Sequence, residues 1–140
     1  MPGEDQAWRS KKGRDWGFKH ANLTLQTGYI QLGGKLSVMG IPYVKYDVYV
    51  YLGADADQGS GSVTISSPSD KVDPNGTYFY WKRWLDGLFA VSKATSLEKA
   101  EASNCVVFQE NTAKQFNLEW AGNLKGGWTG VSGVQIVEKP

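Results

Sequence analysis

A chain of 140 residues with net charge +1, from 15 basic and 14 acidic residues, is long enough for one domain to bury its own core, and it carries no global field that would draw it to nucleic acid. Its single cysteine, Cys105, excludes an internal disulfide framework, and no apolar run approaches the ~18 residues of a membrane helix. The 17 glycines, 6 tryptophans and 7 tyrosines beside one histidine point to an all-β chain with many turns and a large aromatic surface.

The start, MPGEDQAWRS, lacks the apolar stretch of a signal peptide. Met1-Pro2-Gly3 reads as an appended start, which leaves room for an export signal in the native chain. From Arg9 to His20, five basic residues face Asp15 alone, with Trp8 and Trp16 flanking Lys11, Lys12 and Arg14. A solvated terminal segment is the plain reading, and contact with an anionic glycan the functional one. Asn22 to Ile30 alternates Leu23 and Leu25 against Thr24 and Gln26; a Gly33-Gly34 turn then leads into Lys35 to Met39, so that the two runs read as a hairpin.

Lys45 to Gly53, KYDVYVYLG, puts Tyr46, Val48, Val50 and Leu52 on a core face and Asp47, Tyr49 and Tyr51 on the other. After the loop Gly53 to Gly61, Ser62 to Ser66 carries Val63 and Ile65 on one face. The loop contains Asp55 and Asp57 in a D-x-D-x-G pattern that a calcium ion could use. A third acidic ligand and a closing bidentate glutamate are missing from it, so the spacing suits an ordinary turn and no cofactor is expected. Thr77 to Lys82, TYFYWK, is the most aromatic stretch. On the phase set by Phe79 and Trp81, Tyr78 and Tyr80 point outward with Lys82, and Trp81 falls in the core. Trp84-Leu85-Asp86-Gly87 turns the chain, and Thr95 to Ala102 carries a capping box, Thr95 with Glu98, that predicts one short helix. Strands follow over Asn104 to Gln109, Lys114 to Trp120 and Gly133 to Glu138, with Trp120 inward. Eight or nine short strands at this spacing predict a single domain over 1–140, an antiparallel β-sandwich of jelly-roll type.

Catalysis has no local signature. His20 sits in the basic segment without a nucleophile, and G-x-S-x-G, H-E-x-x-H and C-x-x-C are all absent. Cys105, in the run CVVF, reads as a small buried hydrophobe. A glycosidase needs two carboxylates about 5 to 9.5 Å apart, and Asp47 with Glu119 is a conceivable pair that nothing in the sequence selects. No enzyme is therefore expected. The outward tyrosines suit a sugar, since flat rings cover C–H faces while amides and charges take the hydroxyls. Tyrosine is equally a good strand former whose cross-strand pairs stabilise any sheet. Trp128, in GGWTGVSG, is either an exposed loop indole or a lid on the core. The candidate ligand set is Trp128, Tyr49, Tyr51, Tyr80, Trp84, Asp47, Lys82 and Gln135, with no catalytic or metal-ligating residue.

The runs GYIQLGGKLSVMGIP and KYDVYVYLGAD, then SNCVVFQENTAKQFNLEW and a closing SGVQIVE, resemble a β-sandwich module appended to large secreted proteins of environmental bacteria. The likeness covers roughly Leu23 to Glu138, and such modules look like carbohydrate-binding modules. The resemblance implies a binding role and an extracellular address and identifies no ligand. The reading it joins is a secreted, monomeric, non-catalytic module that targets an attached catalytic domain to a polysaccharide, with a β-linked plant glycan such as β-glucan or xylan favoured and neither nucleic acid nor membrane as partner. A protein-interaction or cell-surface assembly module is the alternative, and a glycan-active enzyme comes third.

Overall fold

The computed structural model describes residues 7–9, 28–31, 33–54, 59–68, 70–83, 85, 88–125 and 127–140. The strands are β1 (Ala7–Arg9), β2 (Gly28–Gln31), β3 (Gly33–Val38), β4 (Tyr46–Ala54), β5 (Gly59–Ser66), β6 (Thr77–Lys82), β7 (Val91–Ser92), β8 (Ala102–Ser103), β9 (Cys105–Asn111), β10 (Phe116–Gly122) and β11 (Thr129–Glu138). They form two sheets, ordered β1-β2-β11-β4-β9-β7 and β3-β10-β5-β6-β8. The antiparallel pairs β2–β11, β3–β10, β4–β9 and β5–β6 are nested in sequence and alternate between the sheets. A chain folded back on itself at β5–β6 and wound across two layers in this way is a jelly roll, and the expected β-sandwich is what forms.

The winding follows from the side-chain pattern. Tyr46, Val48, Val50 and Leu52 of β4 have no exposed surface, and they pack with Val63, Ile65, Val106, Phe108, Phe116 and Leu118 between the layers. Aromatic pairs join the layers, Tyr78 with Phe108 at 5.3 Å and Tyr46 with Phe116 at 6.1 Å between ring centroids. Trp120 is buried, and a Cβ on its ladder partner Gly34 would sit 2.5 Å from the indole, so the glycine provides the space into which that ring packs.

Several expectations need correction. The hairpin across Gly33-Gly34 does not form: β2 lies in the first sheet and β3 in the second, with Gly33 and Gly34 inside β3. The sheets are mixed, because β7 pairs β9 and β8 pairs β6 in parallel. The predicted helix is a three-residue 3-10 turn, Leu97–Lys99, whose N-cap is Ser96 without a side-chain bond, so the Thr95–Glu98 capping box is not built.

The phase of β6 is also reversed. Tyr78 and Tyr80 point inward and Lys82 is fully buried, while Phe79 and Trp81 are only partly covered. Register with β5 decides this. Tyr78 lies opposite inward Val63, Tyr80 opposite Gly61, whose missing Cβ leaves room for the phenol, and Lys82 opposite Gly59.

Candidate functional site

The outer face of the first sheet holds the best-formed cluster of candidates. Tyr49 stands between its ladder partners Gln135 on β11 and Val107 on β9, and Tyr51 between Gly133 and Cys105. Directly opposite residues share a face, so Tyr49, Tyr51 and Gln135 are presented together. The Tyr51 hydroxyl donates to Oε1 of Gln135 at 2.8 Å. With its oxygen thus engaged, the exposed amide of Gln135 offers N–H donors. Both tyrosines are half-buried, and burial first, then the nearby Cys105 and Tyr49, raises the Tyr51 phenol above its ordinary pKa.

Phe89, which the sequence pattern did not single out, joins this cluster. Its ring lies 5.3 Å from that of Tyr51 at an interplanar angle of 50°, and it remains 42% exposed. DGLFAV has neither a helical nor a strand period, so no periodicity assigns Phe89 a face. Its place is set instead by a tertiary contact, from Asn104, whose buried side chain bonds the backbone on both sides of Phe89. Trp128 is 51% exposed just before β11, an open indole and not a lid on the core. Thr129 pairs with Ala54, so Trp128 stands about four strand residues, ~14 Å, beyond Tyr51 along the strand direction.

Three expected ligand residues are taken up by the fold itself. Tyr80 is fully buried, with its hydroxyl against Gly61 and beside Thr129; burial drives its pKa upward, against a smaller opposing influence of Thr129. Lys82 is fully buried at the next inward position. Asp47 is on the outward phase, but a β-bulge turns it to structural use. Gln109 and Glu110 together oppose it between the pairs Tyr46↔Asn111 and Val48↔Phe108. Its Oδ1 accepts the Glu110 N–H at 2.8 Å, and its Oδ2 pairs with Lys139 at 3.6 Å. Glu110 has φ 56°, a left-handed geometry in which its N–H can reach that carboxylate. Trp84, Asp55 and Asp57 lie outside the described residues, as do the side chains of Trp8 and Trp16.

The conceivable carboxylate pair is not assembled. Asp47 belongs to the first sheet and Glu119 to the second, where it is exposed on the opposite outer face beside Lys35 at 3.7 Å. Among the described residues no group of three His, Cys, Asp or Glu side chains is placed to hold a metal, and no helix is long and apolar enough to cross a membrane. A concavity of about 510 Å³ opens at the sandwich edge between residues 90–95 and residues 99 and 101–103. Lys93, Lys99 and Glu101 line it without any aromatic ring, so it lacks the stacking surface of the sheet face. Compared with family models and with curated proteins, the chain matches none.

Proposed function

We propose that the protein is a non-catalytic module that binds a polysaccharide, a β-linked glycan such as β-glucan or xylan, and holds an attached catalytic domain near it outside the cell. The observation that carries this reading is the outward grouping of Tyr49, Tyr51, Phe89 and Gln135, three aromatic rings beside an amide on one sheet face. Rings of this kind cover the C–H face of a pyranose, and the amide of Gln135 meets its hydroxyls. A shallow face of this sort supports micromolar to millimolar affinity, about −4 to −8 kcal/mol.

Electrophoresis through gels containing soluble β-glucan or xylan tests the reading. The parent protein should be retarded. Tyr51→Ala should weaken retention about tenfold, equivalent to ~1.4 kcal/mol, while its melting temperature stays within a few degrees of the parent's. Free migration of the parent through every polysaccharide would refute the assignment. Docking of another protein domain is the second reading, favoured by Leu88 and Val91, which flank Phe89 at 72% and 44% exposure. In that case no glycan shifts tryptophan fluorescence.

A further inference from the structure

We propose that Asn104 is the positioning residue of the aromatic face, setting Phe89 against Tyr51 from beneath the surface. The inference rests on the reading of that face as the ligand site. Asn104 is fully buried and so touches no ligand itself. Its Nδ2 donates to the Leu88 carbonyl at 2.7 Å, and its Oδ1 accepts the Ala90 N–H at 3.0 Å. Its own backbone N–H donates to the Ala90 carbonyl at 3.0 Å. The residues on either side of Phe89 are therefore both held by one side chain, and the amide has a single orientation that serves a carbonyl and an N–H at once.

The other end of the linkage is Tyr51. The Asn104 carbonyl accepts the N–H of Leu52 at 3.0 Å, in the position next to Tyr51 on β4. One residue thus joins the backbone around Phe89 to the backbone beside Tyr51 and fixes the two rings at their 5.3 Å spacing and 50° angle. Phe89 lies outside the strands: β7 begins two residues later, and the neighbouring Leu88 N–H makes a turn bond to the Leu85 carbonyl at 3.0 Å. A ring preset in this way spares a ligand the ordering of a free segment. Aspartate at position 104 keeps the acceptor for Ala90 and loses the donor to Leu88; alanine loses both.

A double-mutant cycle with a structural readout tests the proposal. NOEs between Phe89 and Tyr51 ring protons are recorded for the parent, Asn104→Ala and Asn104→Asp. Retardation in xylan and β-glucan gels is measured for Asn104→Ala, Phe89→Ala and the double variant. The expected result is loss of the ring NOEs in Asn104→Ala, roughly tenfold weaker retention for each single variant, and no further loss in the double. Persistence of the NOEs in folded Asn104→Ala, or full additivity of the two losses, overturns it. Should Asn104→Ala not fold, Asn104→Asp decides: weakened NOEs and retention between parent and Phe89→Ala support positioning, and unchanged values refute it. If the parent binds neither polysaccharide, the ligand reading falls, and the NOEs alone decide whether Asn104 sets the ring.

Discussion

At the scale of the residue, two acidic side chains show how backbone, and not ligand, claims a carboxylate. Asp73 is buried at the end of the 67–76 connection and accepts the Asn75 N–H at 2.9 Å, the Gln109 N–H at 3.1 Å and the Tyr78 hydroxyl at 3.2 Å. Asp47 serves the single N–H of Glu110 and an ion pair with partly exposed Lys139. Hydrogen bonds to a charged group are each worth about 1.5–3 kcal/mol, and a buried donor left without its acceptor adds a penalty. Asp73→Ala should therefore destabilise the fold by more than ~3 kcal/mol and Asp47→Ala by about 2 kcal/mol, read from urea midpoints. Glycan retention should be unchanged in Asp47→Ala. A selective loss of retention there, at normal stability, would return Asp47 to the ligand set.

At the scale of the element, β6 separates what the sequence reveals from what only pairing decides. In β4 and β10 apolar residues alternate with polar ones, and the faces read from the sequence are those the fold uses: Phe116, Leu118 and Trp120 are inside, as are Tyr46 to Leu52 on their phase. TYFYWK is aromatic on both phases, so its period is mute, and the choice falls to the partner strand. The sequence holds that choice in GSGSV, where Gly59 and Gly61 match Lys82 and Tyr80 across the ladder. Legibility failed similarly for β2 and β3, since a glycine pair looks like a turn whether the chain reverses or passes to the other sheet. Of the candidate site, Tyr49, Tyr51, Gln135 and Trp128 were readable from strand phase or glycine flanks; Phe89 and Asn104 were not, because they meet only through tertiary contacts. The assignment of β6 is testable. Tyr80→Ala removes a fully buried ring and should cost about 3–5 kcal/mol, while half-covered Trp81→Ala should cost clearly less. The reverse order in chemical denaturation would restore the opposite phase.

At the scale of the whole molecule, the sandwich places hydroxyl and thiol groups of a tyrosine-rich chain where ionisation is unfavourable, and this governs how it responds to alkali. Burial pushes the Cys105 thiol from 9.0 up to about 12, opposed in part by a backbone hydrogen bond at Val50. Burial, with Asp70 adding repulsion, raises the Tyr46 phenol from 10.0 to about 12. The Tyr46 hydroxyl also donates to the Ala113 carbonyl at 2.6 Å, a bond that only the neutral form can make. Tyr51, Tyr78 and Tyr80 are displaced upward as well, all chiefly by burial. These groups are acids whose folded pKa exceeds the unfolded one, so the folded state retains protons that the unfolded chain releases. Their contribution is intact below the unfolded values and is lost as pH climbs toward the folded ones. Stability should thus be flat to about pH 9, decline as the unfolded thiol ionises, and fall more steeply from pH 10 as the phenols follow. Each group adds a slope of about 1.4 kcal/mol per pH unit at full difference in protonation. Urea denaturation at pH 8, 9.5 and 11 measures this, and Cys105→Ala isolates the share of the thiol: the decline between pH 8 and 9.5 should be shallower in the variant, and the steeper fall above it should be kept. Equal stability of the parent at pH 8 and pH 11 would mean that the phenols ionise as readily inside the sandwich as in the unfolded chain, which the packing of Tyr46 and Tyr80 does not allow.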